Sequence, residues 1–468
     1  MAKRGAAVRG GSSTRLPVAI TVTGVLVALV LASTTLGVVT GPRFAGALSR
    51  SDLAAVHALE RGVSATGTLL RAIGTAGLGS PASLSRLGLH LASTHVYAGE
   101  YLSGNSQAGG DFGYSIAVSG TTMVVGAPGE NVSGFYEAGN AYVFDLKTGA
   151  LVRTLTSPAP GLEGYFGFSV AISGKTVAIA APGESVGSLV QAGHVYLFNA
   201  KSGALLSTYT SPAPQSGGFF GYSIAAFGKL VVVGAPGENA SGVGYAGNTY
   251  VFSGHSSTPL ATLQSPNPDF QGYFGFYVAL SKTLVVVGAP TENASGVEQG
   301  GHVYTFSTKT HALASTLTSP NLETDGNFGE SVAVSGNTLV VGASGETAGG
   351  DVAAGHAYVF NAKTAVLSFT FQSASPQAQG NFGARVAVGG SLIVIGAPDE
   401  AANGVLEAGN VYAFVTSTGV PAGSYTSPNP AMFGAFGYSL AVGKSSLAVG
   451  APGESAFNET VAGQVYVY

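Results

Sequence analysis

FGYSIAVSGTTMVVGAPGENVSGFYEAGNAYVF, residues 112–144, decides the fold because the stretch does not occur only once. Its opening pair returns as Phe166-Gly167, Phe220-Gly221, Phe274-Gly275, Phe328-Gly329, Phe382-Gly383 and Phe436-Gly437, each 54 residues after the one before. Gly126-Ala127-Pro128 keeps the same step down to Gly450-Ala451-Pro452, varied only as Ala180-Ala181-Pro182 and Gly342-Ala343-Ser344, and Tyr142 does so down to Tyr466. Seven units of 54 residues fill 91–468 without insertion or deletion. A fixed period of this length marks a repeat architecture.

Inside one unit, four β-branched or aromatic runs stand between turn residues: Tyr114 to Ser119, Met123 to Ala127, Ala141 to Phe144 and Leu151 to Thr156. Ser119-Gly120 and Lys147-Thr148-Gly149 supply tight turns, and no 3.6-residue periodicity competes. Four short strands per unit, seven times over, predict an all-β fold, a seven-bladed β-propeller of four-stranded antiparallel blades. The phase of the repeat predicts its closure. The last unit stops at Tyr468, after its third strand, while Val96 to Ser103 stands where a fourth strand belongs. That amino-terminal segment is expected to complete the last blade and remove the open edges. Ala117, Ala171, Ala225, Ala279, Ala333, Ala387 and Ala441 share one position in the first strand, each after Ile, Val or Leu. They are expected to give the crowded innermost strands one small face against a bulky one.

The order Phe-Gly, then Gly-Ala-Pro, then Ala-Gly-Asn-Ala-Tyr-Val-Phe over Phe112 to Phe144 resembles the FG-GAP repeat. That family includes the β-propeller of integrin α subunits and many bacterial and archaeal surface proteins. The resemblance implies a propeller serving adhesion or ligand binding outside the cell. Integrin-type blades often hold calcium in an Asp-rich loop between their first two strands. Here that connection is as short as Ser119-Gly120 and no Asp-x-Asp-x-Asp-Gly run exists, so calcium is not carried over.

Outside the repeats, Lys3, Arg4, Arg9 and Arg15 in the basic segment 1–15 precede an uncharged run over 16–39. As a helix, 24 residues would span ~36 Å, enough for a ~30 Å hydrocarbon core. A retained signal-anchor is favoured over a cleaved signal ending near Ala45-Gly46-Ala47. Either one leaves the basic residues cytoplasmic and exports the rest. Residues 40–90 read as a linker or stalk ahead of the propeller over 91–468. The whole chain carries few charges, 9% of residues, with a net charge of −4, which excludes an electrostatic nucleic-acid binder. It has no cysteine, which excludes disulfides and thiol chemistry.

Glu130, Glu184, Glu238, Glu292, Glu346, Glu400 and Glu454 occupy one repeat position. They form either a rim of carboxylates for a cation or basic ligand, or a structural ring in which each accepts backbone N–H bonds and ties down its loop. Repetition in every blade favours structure, since a ligand site rarely needs seven copies. His194, His302 and His356 interchange with Asn140, Asn248, Asn410 and Gln464. That exchange points to a shared hydrogen-bonding role and not to metal ligation. The glycines of Gly110-x-Phe112-Gly113 fit positions needing φ > 0 or close backbone approach.

Arg385 and Tyr277 replace a serine found at Ser115, Ser169, Ser223, Ser331 and Ser439. Arg385, near the axis, would bind an anionic ligand or pair with a neighbouring carboxylate, and a buried charge favours the second. The loops between second and third strands are expected to share a rim with the fourth-to-first connections. Phe135, Tyr136, Tyr245 and Phe457 on that rim are candidate contacts, because variable loops on a rigid scaffold carry binding. Asn131-Val132-Ser133, Asn239-Ala240-Ser241, Asn293-Ala294-Ser295 and Asn458-Glu459-Thr460 are glycosylation sequons there. The expected protein is a monomeric ring without catalytic residues, metal or cofactor. It would stand outside the cell membrane, or be secreted if the signal is cleaved, and bind a protein or glycan. A structural envelope component is the alternative, and a carboxylate-dependent hydrolase or lyase a weaker one, since no Ser–His–Asp grouping or zinc motif supports it.

Overall fold

Each unit's second strand is a continuous apolar run, such as Met123-Val124-Val125, and all three of these side chains are fully buried. A strand reads this way when both faces of its sheet are covered, and stacked blades cover both. The computed structural model describes residues 97–457 and 459–468 in full. Ahead of them it describes only the backbone of three short strands, Val18–Val22, Val25–Ala32 and Thr35–Val39. The helix expected over 16–39 and the linker over 40–90 run through residues outside that description, as does the sequon residue Asn458.

Seven four-stranded antiparallel sheets follow from residue 97. Blade 1 is Ser115–Ser119, Thr122–Ala127, Asn140–Asp145 and Ala150–Thr156, within a residue or two of the expected runs. Blades 2 to 7 open with Val170–Ser173, Ser223–Phe227, Tyr277–Leu280, Ser331–Ser335, Arg385–Gly389 and Ser439–Val442. These first strands pack side by side around the axis, and that of blade 7 packs on that of blade 1. The ring is therefore closed.

The core lies between blades. Phe166, Val170 and Ile172 of blade 2 join Val124, Val143 and Leu155 of blade 1 in one cluster, with Ala117 packed against it. Ile116 and Val118 face the other way, into a cluster with Val465 and Val467 of blade 7. The alanine position is thus the small face of each wedge. The crowding it relieves is against the next blade and not only at the axis. Two glycines of the motif are fixed by this close approach. A Cβ on Gly126 would lie 1.9 Å from the carbonyl oxygen of Gly167, and Gly167 itself holds φ 95°, where a side chain is strained.

Closure follows the phase of the repeat. Gly99–Tyr101 pairs antiparallel with Gln464–Val467, setting Tyr101 opposite Val465 and Gly99 opposite Val467. Ala98 N–H donates to Val467 O at 2.6 Å, and the Ser439 hydroxyl donates to Gly113 O at 2.6 Å. The two ends of the ring, residues 97–468, thereby share one sheet.

Candidate functional site

The repeated glutamates are buried, with Glu130, Glu238, Glu292, Glu346 and Glu400 at 0% exposure. Their side chains are held by other side chains and not by the backbone N–H groups expected from the sequence. Tyr304 donates its hydroxyl to Glu292 at 2.6 Å and Tyr412 to Glu400 at 2.6 Å, and the same bond recurs in the other blades. Ser103, Ser157 and Ser319 donate to Glu130, Glu184 and Glu346. Each serine follows the outer strand of one blade while its glutamate belongs to the next, so the carboxylate staples neighbouring blades.

The Asn/His/Gln position completes the cluster. Asn140, Asn248 and Asn410 donate to Glu130, Glu238 and Glu400 at 2.6, 2.8 and 2.8 Å. His194, His302 and His356 place Nδ1 3.0, 3.1 and 3.0 Å from Glu184, Glu292 and Glu346. Blade 7 differs, because the Gln464 amide donates to Ser455 O instead and its carbonyl takes the Tyr466 hydroxyl. Glu454 lacks the amide donor, and burial pushes its carboxyl up to about 7, with the Ser427 and Tyr466 hydrogen bonds opposing. Burial likewise raises Glu130 and Glu238. Among the described residues no three His, Asp or Glu side chains converge as a metal site.

The rim is built by pairing each second-to-third loop with the connection entering the next blade. Glu163, Tyr165 and Phe166 N–H groups donate to Tyr136, Glu137 and Ala138 carbonyls at 2.9, 3.0 and 2.9 Å. Phe135, Tyr136, Tyr245 and Phe457 are exposed there, at 43%, 56%, 43% and 66%. They stand on blades 1, 3 and 7. Tyr245 meets Phe270 and Tyr273, with centroids 6.3 and 6.5 Å away.

Side chains gather at the axis, where a cavity of about 730 Å³ opens among the first strands. Directly after each Phe-Gly pair stands a residue at its mouth. Tyr114, Phe168, Tyr222, Phe276 and Tyr438 form an arc of rings with neighbouring centroids 4.8–5.0 Å apart. In blades 5 and 6 that position is Glu330 and Ala384, which breaks the arc. Arg385 fills the break. Its guanidinium carbon lies 4.5 Å from the Tyr438 ring centroid and 5.2 Å from that of Tyr277. Its Nη1 donates to Ala384 O at 2.7 Å and stands 3.9 Å from Glu330 Oε1. The pairing with a carboxylate expected for Arg385 is present, together with two aromatic faces that the sequence reading did not include.

Other departures from the repeat fall in the same sector. Ser344 replaces the proline of Gly-Ala-Pro and donates to Glu330. Asp399 replaces the glycine found at Gly129 and accepts from Asn381 at 2.6 Å. Thr291, also in place of that glycine, lines the cavity as well. Asn327 and Asn381 hold φ 55° and 52°, a conformation that asparagine tolerates better than most residues. Burial raises the Glu330 carboxyl and the charge of Arg385 opposes that shift. One signal could have found this site from sequence: the repeat's exceptions, tallied by position, concentrate in blades 4 to 6.

The FG-GAP repeat family is matched at residues 102–144, 155–198, 261–306 and 313–360, four separate copies. No curated protein matches the chain.

Proposed function

Because this chain is an FG-GAP repeat β-propeller, we propose that it is a non-catalytic binding module, exported and held at the membrane by its amino-terminal apolar segment. The loop face presents the axial mouth to a partner outside the cell. One observation carries the reading. Six blades would serve a scaffold as well as seven differing ones, yet the departures Tyr277, Thr291, Glu330, Ser344, Arg385 and Asp399 all line one sector of one cavity. A purely structural ring has no need to gather this many departures from its repeat around one cavity.

The basic residues before the run 16–39 support export with the propeller outside. The rim aromatics Phe135, Tyr136, Tyr245 and Phe457 add exposed apolar surface on the same face, suited to a larger protein or glycan partner. Protease added to intact host cells should remove the propeller epitope, and fluorescently labelled full chain should bind a cell or matrix surface. An epitope protected until the cells are lysed would contradict the placement, and a labelled chain that binds nothing would contradict the module.

A further inference from the structure

We infer that the axial cavity is a binding site for the end of a neutral saccharide, an inference that rests on the binding-module reading above. The cavity is divided chemically. On one side, the rings of Tyr114, Phe168, Tyr222, Phe276 and Tyr438 line the cavity, neighbouring planes tilted by 42–50°, and offer aromatic carbon with tyrosine hydroxyls among it. On the other, blades 5 and 6 offer a fork of donors on Arg385, two carboxylates on Glu330 and Asp399, and two amides on Asn327 and Asn381. A pyranose has the matching division. Its C–H face packs on an aromatic ring, and its hydroxyls donate and accept along the edge. The volume, about 730 Å³, falls within the range of small-ligand pockets.

Charge selects among ligands. Glu330 beside the guanidinium, and Asp399 on the same cavity wall, oppose an anion. A cation would meet Arg385 already seated over the two rings that would hold it. A neutral polyol meets neither obstacle. Arg385 is also positioned in advance: the rings, Ala384 O and Glu330 fix the guanidinium at 19% exposure, and only Nη1 is engaged. The remaining N–H groups stay available at the cavity wall.

The test uses the full chain in a detergent without a sugar headgroup, probed with an array of neutral and acidic oligosaccharides and then by calorimetry with the best neutral one. The informative variant is the double substitution Glu330→Tyr with Arg385→Ser, which gives blades 5 and 6 residues the repeat itself uses at those positions. It also avoids leaving Glu330 buried without its partner. Asp399→Gly, again the repeat's own residue, is the second variant. Neutral saccharides should bind, and either variant should weaken binding about tenfold or more while the melting temperature holds. A preference for sialylated or uronic-acid glycans, or unchanged affinity in both variants, would overturn the inference. If no saccharide binds while the labelled chain still coats cells, the saccharide inference falls and the module stands; if neither occurs, both fall.

Discussion

The glutamate staples and the axial mouth use the same kinds of side chain, carboxylate, tyrosine and amide, and put them to opposite use. At the staples the glutamate–tyrosine pair recurs at every step of the ring, with each carboxylate buried. At the mouth the set occurs in one sector only, beside a cavity, where the repeat is broken. Repetition in this molecule marks what holds the wedges together, and exception marks the site proposed for a ligand. The comparison can be attacked from either side.

The largest effect is expected at the seam. A chain beginning at residue 91 keeps Gly99–Tyr101 and Ser103, whereas one beginning at 109 loses the outer strand of blade 7 and the serine donor to Glu130. The shorter chain should show no cooperative melt in calorimetry, although every Phe-Gly unit remains, because blade 7 is left with an open edge. Equal melting of the two would sever closure from stability.

Next comes acid. The folded carboxyl of Glu454 is raised from an ordinary 4.5 to about 7 by burial. Its neighbours are Ser427, Tyr466 and the turned-away Gln464, with Glu100 as the nearby charge. A raised folded value means that the stability contribution is fully present below about 4.5 and lost as pH climbs through 7. The loss between pH 4.5 and 8 is ~3 kcal/mol from this group. Glu130, Glu238 and Glu330 shift in the same direction. Melting temperature should therefore rise as pH falls from 8 to 5, and Glu454→Gln should flatten that slope. A melt that weakens steadily over the same window would refute the sign.

Smaller effects discriminate further. Ala333 packs against the cluster of Val386, Ile393 and Ile395 on the next blade. Ala333→Leu should overfill that boundary at a cost of ~1–3 kcal/mol, read as lowered melting. Glu238→Ala leaves the Tyr250 hydroxyl and the Asn248 amide without their acceptor, and should cost ~1–3 kcal/mol. Neither change touches the axial cavity, so ligand binding at 25 °C should persist in both.

The seven-bladed propeller was legible because its determinants are local and repeated. Phe112 and its equivalents, the turn glycines and the missing fourth strand of the last unit all lie on the surface of the sequence. The glutamates stood out by their repetition, but the side chains that hold them did not. Ser157 lies 27 residues from Glu184 and meets it only when blades stack, and Tyr196, 12 residues away, meets it only when the second and third strands of its blade pair. Arg385 and Tyr277 stood out in the repeat, whereas Glu330, Ser344 and Asp399 gain meaning only once the first strands are known to face one axis. The rim residues Phe135, Tyr136, Tyr245 and Phe457 are exposed as expected, but the ring spreads them over separate blades.

The most direct test sets Glu238→Ala beside the double substitution Glu330→Tyr with Arg385→Ser, measuring melting temperature and ligand binding for each on the same preparation. Glu238→Ala should melt earlier and bind normally, and the double variant should melt normally and bind poorly. If both variants lose both properties, or if the double variant binds as the parent does, then the division between repeated scaffold and broken-repeat site is wrong.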